Sequence, residues 1–428
     1  MMRLMVVMAA FLISNPLWAQ ARYDLLLKGG HVIDAKNQID AVMDVAIAGG
    51  KIARVAPNIP PAESTRVADV SGLYVTPGLV DMHVHVYAGT GRRNVYAGDN
   101  SVYPDGFTFR SGVTTVVDLG TTGWRDFPDF KDRVIDRVRT RVLAFLNIVG
   151  SGMVGTGADR KEEQNTQDMD PQATARRARE FPALVVGIKT AHYTGPDWIA
   201  VDRAVEAGKL ANLPVAVDFG NFNPARPFAD LVTKHLRPGD MSTHSYKDLV
   251  PFLDDQGKLR PWALEARRRG VKFDVGHGGG GFAWKNAVPV IQQHRFVPDS
   301  ISTDLHAGSM NAGMKDMTNV MSKILNLGVS LADVIKMSTI NPATQIGRPE
   351  LGHLSVGAGA DVAVLRVDQG TFGFVDSQRV RFMGTRLLVC ELTLRDGRVV
   401  YDLNGRTSDL YSPTSGARRS SGEPRQGR

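Results

Sequence analysis

Two imidazoles and a carboxylate alternate along Asp81-Met82-His83-Val84-His85. In an extended strand successive side chains point to opposite faces. Asp81, His83 and His85 therefore share one face, and Val80, Met82, Val84 and Val86 share the other. Imidazole nitrogens and carboxylate oxygens gathered on one face suit a divalent cation, while the apolar face would meet surrounding helices. With ten histidines in 428 residues, an isolated His-x-His pair says little. The ends of later β-rich runs carry Lys189, Asp218, His244, His277, and Asp304 with His306. Such groups recurring at one end of most strands would not arise from random placement, and they predict metal-assisted acid–base chemistry.

The elements that must position them alternate between strand and helix. Short β-rich runs fall at 79–85, 114–120, 141–149, 184–192, 214–220, 240–246, 272–278 and 300–306, and helical pattern lies between many of them, as at 173–180, 199–210 and 316–327. Eight such units predict a (β/α)8 TIM-like barrel, in which chemistry sits at the C-terminal ends of the strands. An open doubly wound sheet is the alternative, but no glycine-rich phosphate loop follows the first strand. Ser330 to Asp333 forms a capping box for a last barrel helix. At the two chain ends, Gly49-Gly50 and Asp396-Gly397 each separate a pair of short β runs, the signature of tight hairpins. These predict a small composite β domain from residues 22–75 plus 345–405, with the barrel over 76–344.

The first 21 residues hold one basic residue, Arg3, an apolar run of about ten residues too short to span a bilayer, and Ala19-Gln20-Ala21. They read as an export signal, which would place the mature protein in the periplasm or outside the cell. With Cys390 as the single cysteine, no internal disulfide can form, and its apolar surroundings predict a buried thiol. The net charge of +7 does not point to nucleic acid. Five arginines from Arg406 onward sit in a Ser/Pro/Gly-rich stretch (406–428) that reads as a disordered basic tail. Neither zinc-finger spacing nor interleaved aromatic and basic residues accompany it. A small-molecule substrate is expected, with no membrane partner once the signal is removed. Homo-oligomerisation is left open.

Pro77 to His85, Gly187-Ile188-Lys189, Thr243-His244, Ser302-Thr303-Asp304 and Asn341-Pro342-Ala343-Thr344 resemble the amidohydrolase superfamily, as do Gly352-His353-Leu354 and Gly359 to Val364. Leu146-Asn147-Ile148, Pro238-Gly239-Asp240 and Asp274 to Gly278 are similar to its dihydroorotase-like amidohydrolase/deacetylase members. The resemblance covers nearly all of residues 23–402. It implies two divalent metal ions, zinc or alternatively manganese. His83, His85 and Asp304 would hold the first. Lys189, carbamylated by carbon dioxide, would bridge both, and His244 would help hold the second. A lysine among apolar walls favours its neutral, reactive amine, which supports this assignment.

One position departs from the family pattern, because the fifth strand ends in Asp218 where histidine is usual. If Asp218 ligates, the added negative charge favours harder ions such as manganese; if it does not, the second ion is loosely held or absent. A hydroxide bridging the ions would attack a carbonyl, with Asp304 accepting its proton and passing it to the leaving group. The expected reaction is hydrolysis of an amide or acyl ester, first of all deacetylation of a small carboxylated molecule. Ring opening of a cyclic amide, as by dihydroorotase, and a barrel that binds without catalysis are the alternatives. His277, Gly278, Asn147 and His192 are candidates for substrate contact. The glycine run after His277 reads equally as a lid loop or as a plain connection.

Overall fold

Both glycine-containing turns form as tight hairpins. Gly49 and Gly50, with φ of +56° and +75°, join β2 (Ile39–Ala48) to β3 (Lys51–Ala56). Asp396-Gly397 joins β14 (Arg381–Arg395) to β15 (Arg398–Asp402). Between them in space lie β1 (Leu25–Asp34), β4 (Val67–Asp69), β5 (Tyr74–Pro77) and β13 (Val362–Val375). The sheet order is β15-β14-β13-β5-β1-β2-β3, with β4 beside β1. The antiparallel pairing of β13 with β5 joins the two chain ends into the composite domain predicted from sequence. Leu27, Val45, Val75, Val362 and Leu392 form part of its apolar core. This is a computed structural model, and it describes residues 21–154, 161–220 and 222–411. The expected export signal and the tail beyond Tyr411 lie outside the described residues.

The barrel wall begins with β6 (Leu79–Val84) and β7 (Val113–Gly123), followed by β8 (Arg141–Asn147) and β9 (Val185–Ala191). It continues through β10 (Val215–Asp218), β11 (Met241–Ser242) and β12 (Lys272–Phe273), all parallel and in chain order. Residues 300–305 close the ring through parallel bridges of Ser300 with Asp274 and of Leu305 with Val84. His277 and Gly278 donate their amides to Ser302 and Thr303, and His85 donates to Leu305 at 2.8 Å. Asp81 reinforces the closure by accepting the Thr303 amide (3.0 Å) and hydroxyl (2.5 Å). Its carboxylate is thus engaged in the barrel wall rather than in the metal trio.

The alternation read along β6 holds only in part. Val84 and Val86 join the large apolar cluster, but Met82 packs in a separate one with Leu119, Phe145 and Ala216. The cause is a register shift against β7 between Asp81 and Val84. Helices Pro171–Glu180, Ile199–Ala211 and Met317–Asn326 form where periodicity predicts them. The Ser330 hydroxyl caps the Leu331–Met337 helix by accepting the Asp333 amide. The hairpin of β13 and β14 is long enough to lie along the barrel as well, and its Leu365, Phe374, Leu388 and Cys390 join the barrel cluster. Cys390 is buried there, and burial pushes its thiol up to about 12. Arg406 corrects the expected start of the solvated tail. The fully buried Glu391 needs cationic partners, and Arg406 Nε reaches its Oε2 at 3.3 Å while Arg366 pairs with Oε1. No helix among the described residues is long and apolar enough to cross a membrane.

Candidate active site

His83 and His85 leave the end of β6 and meet Asp304 from the eighth run. Their Nε2 atoms stand 3.3 and 3.0 Å from the same oxygen, Asp304 Oδ1. The three ligand atoms lie within 4.8 Å of one another, and all three residues are buried. Each imidazole is oriented from behind. His83 Nδ1 contacts Thr243 Oγ1 at 2.9 Å, and that hydroxyl donates to Asp274 Oδ2. A hydroxyl that gives its proton to a carboxylate must accept from the ring, so Nδ1 carries the hydrogen and Nε2 keeps a lone pair for a metal. His85 Nδ1 meets Thr121 Oγ1 at 2.7 Å, and the Thr121 amide donates to Asp118 Oδ1 at 2.8 Å. Burial holds His83 well below the usual imidazole range despite the pull of Asp304. Burial works against ionisation of Asp304, but the surrounding imidazoles outweigh it and keep the carboxyl below its ordinary range.

Lys189 rises from β9 into the same space and is fully buried. Among the described residues its Nζ has no hydrogen-bond partner. Burial lowers its pKa, against the pull of Asp218 and Asp304. The stem fits because position 120 is glycine: a Cβ there would come 2.5 Å from Lys189 Cγ. An orphaned buried amine near the carboxylates of Asp218 and Asp304 and the imidazole of His83 suits a carbamate that shares divalent cations. Asp218, at the end of β10, accepts the Gly220 amide on Oδ1. Its Oδ2 stands 2.7 Å from His192 Nε2 and 3.3 Å from His244 Nε2. His244 Nδ1 bonds the Gly276 carbonyl, and His192 Nδ1 contacts both oxygens of Glu163. Burial disfavours a charge on His192, yet Asp218 and Glu163 raise it to about 9.

Asp218, His192, His244 and Asp304 line a cavity of about 450 Å³, whose walls also include Tyr96, Lys161, Gln164, Thr194, Lys247, Gly279 to Gly281 and His306. The Tyr96 ring lies 4.9 Å from that of His85 and 5.2 Å from that of His306. His192, His244 and Asp304 all adopt positive φ, of 56°, 56° and 51°. Left-handed backbone at three non-glycine residues turns each strand end so that its side chain reaches the shared space.

Three of the expected substrate contacts lie elsewhere. His277 is fully buried: its Nε2 meets Lys323 Nζ at 2.6 Å, and its ring stacks on Phe282. The backbone turns at Gly276 and Gly278, on either side, and this carries the ring out of the cavity wall. Asn147 spends its amide on the strand end, donating to the Gly120 carbonyl and accepting the Val149 amide. Gly278 packs under Asp304, where a Cβ would come 1.9 Å from the carboxylate. The run that follows it therefore begins as a tight cradle for Asp304. His192 does line the cavity. Sequence reading passed over Thr121, Asp118, Glu163, Tyr96, Lys161 and Lys247; Thr243 and Asp274 lay inside quoted motifs but carried no assigned role. Four other histidines lie away from the site, for example His31 paired with Asp40 and His235 with Asp202.

A barrel carrying such donors at its strand ends has close counterparts. The profile of the Amidohydrolase family matches residues 295–401. Deacetylase Atu3266 of Agrobacterium fabrum is 32% identical over 349 residues, covering 80% of this chain and 83% of the relative. A deacetylase of Enterococcus faecalis is 28% identical over 363 residues, covering 83% and 93%. Among solved structures, an adenine deaminase superposes with a TM-score of 0.78 at 26% identity, covering 89% of this chain and all of that one. A dihydroorotase gives 0.76 at 28% identity, with coverage of 88% and 99%. The chain belongs to the amidohydrolase family, and it is a hydrolase acting on carbon–nitrogen bonds.

Proposed function

We propose that this protein is a metal-dependent deacetylase or related acyl-amide hydrolase acting on a small carboxylated substrate. The observation that carries this reading is the convergence of His83, His85 and Asp304 near an orphaned Lys189 amine, with Asp304 lining an open cavity. His83, His85 and Asp304 would hold one divalent ion. Lys189, Asp218 and His244 would hold a second, zinc or manganese. The Lys189 nitrogen would first bond the carbon of carbon dioxide and release one proton, giving the anionic oxygens that cations require. When bound, such ions supply an activated water at neutral pH and polarise the scissile carbonyl.

The chain's own residues do the rest. Asp304, ionised and pointing at both imidazoles, takes the proton of the attacking water and returns it to the departing amine. Thr243 and Thr121 keep His83 and His85 in the tautomer that binds metal. Lys247 donates to the Gly220 carbonyl at 2.7 Å and has further protons for a substrate carboxylate, with Lys161 on the same wall.

A panel of N-acetyl amino acids, acetylated hydroxy acids and dihydroorotate, assayed with zinc and with manganese, tests the reading. Turnover of the acetylated acids is expected. Turnover of dihydroorotate alone would replace it with cyclic-amide hydrolysis, which the likeness to solved and curated dihydroorotases supports. We further propose export guided by the first 21 residues. Fractionation of the producing cells tests this: protein found only in the cytoplasm with Met1 intact would refute it.

A further inference from the structure

We propose that His192, held by Glu163, is a protein ligand of the second divalent cation and supplies the imidazole that the fifth strand lacks. The inference rests on the two-cation reading above. The donors at the barrel mouth form two trios of the same chemistry, each built of one carboxylate between two imidazoles. In the first, Asp304 Oδ1 has two imidazole Nε2 atoms at 3.3 and 3.0 Å. In the second, Asp218 Oδ2 has two at 3.3 and 2.7 Å, from His244 and His192. Donors about 2.0–2.2 Å from a shared cation stand roughly 3–3.5 Å from one another. Each imidazole is therefore close to ligating separation from its carboxylate. The second trio is more open than the first, whose three ligand atoms all lie within 4.8 Å of one another.

The supporting contacts agree. Every one of the four imidazoles presents Nε2 to a carboxylate and has an acceptor against Nδ1: Thr243, Thr121, the Gly276 carbonyl and Glu163. A carboxylate behind Nδ1 with Nε2 facing outward is the arrangement that orients ligating histidines. Glu163 is 1% exposed, so burying it beside His192 needs a partner of this kind. His192 also stands only three residues past Lys189, and its positive φ turns the ring from β9 toward the end of β10. An aspartate in place of the strand-five histidine and an imidazole from strand four, its Nε2 proton displaced when the cation binds, thus supply the missing nitrogen while adding one anionic oxygen. Glu163 is a positioning residue, acting through His192.

The full-length wild type and the variants His192→Ala, His192→Asn and Glu163→Gln would be purified without chelator. Bound zinc and manganese would be counted by mass spectrometry and titrated calorimetrically. Expected results are two cations in the wild type and one in both His192 variants, with first-site affinity unchanged. Glu163→Gln should bind two, the second about 10–100-fold more weakly. A His192→Ala protein that binds two cations with wild-type affinities overturns the proposal and leaves the two-cation reading standing. One cation in the wild type overturns both. Cobalt-loaded wild type gives an answer that does not depend on variants folding. Four ligating imidazoles should show four paramagnetically shifted, exchangeable ring N–H resonances, and three would overturn the assignment.

Discussion

His83, His85 and Asp304 are held from inside the barrel wall, whereas His192 is held from a loop. In the first trio the relays run through Thr243 and Thr121 to Asp274 and Asp118, both fully buried. Asp274 is itself tied to Ser300 and Ser302 at 2.7 and 2.6 Å, which stitches the seventh and eighth runs together. In the second trio the carboxylate behind His192 comes from the short Glu162–Gln164 turn, outside the barrel ring. Donors fixed by strands hold their geometry more closely than donors fixed by loops. The first position is therefore preformed, and the second depends on how well one turn is seated. Substitutions that separate the two positions test this contrast.

The largest effect is expected at Asp304. Asp304→Asn keeps the volume but removes the base, and general acid–base catalysis contributes on the order of 10²–10⁴-fold. Turnover should fall by about that factor. Metal content must be measured alongside, because the amide is also a poorer ligand. Retained turnover with a full complement of metal would remove Asp304 from the proton path.

Next comes Gly278→Ala, which touches no substrate. The added Cβ would lie 1.9 Å from Asp304 Oδ2, so the carboxylate must move. A displacement of about 1 Å in a reacting group can cost on the order of 10²-fold. The drop should appear in kcat with little change in KM. An unchanged kcat would mean that the loop gives way and the cradle is soft.

How far these positions were legible depends on what alternation can carry. Along β6 a period of two was enough to pair His83 with His85, and the barrel rule drew in Lys189, His244 and Asp304. Alternation fails where the backbone turns. With φ at +56° for His192 and +51° for Asp304, strand parity no longer says where a side chain goes. The same limit sent His277 and Asn147 to the wrong place: their chemistry is legible, but the direction of a ring or amide past a strand end is not. Thr121 and Asp118 lie in an eleven-residue strand, β7, of common β-forming residues, and nothing in their spacing marks them as a relay. Glu163 comes from a separate turn, and only the fold brings it to His192.

Those relays supply the third test. Thr121→Val and Thr243→Val remove a single hydroxyl each while keeping branching and approximate volume. Loss of such outer contacts typically weakens metal binding about 10–100-fold. Titration should show that loss at the first position only. An equal loss at both positions would mean that the two trios are one coupled unit and not separately held.

The smallest effect isolates the turn behind the second trio. Gln164 Nε2 donates to the His192 carbonyl at 2.9 Å, and its Oε1 accepts the Thr194 amide at 2.8 Å. Gln164→Ala removes both while leaving the Glu163 carboxylate and every ligating side chain in place. Each such bond contributes about 0.5–1.5 kcal/mol net, so the turn should loosen by an amount equal to a few-fold to about 100-fold in its seating. Only the part of that loosening felt at His192 reaches the second cation, whose affinity should fall by roughly 2–10-fold while the first stays unchanged. If the second affinity does not move, the Glu163 carboxylate is seated by its own contacts, and the turn is as rigid as the strands beneath it.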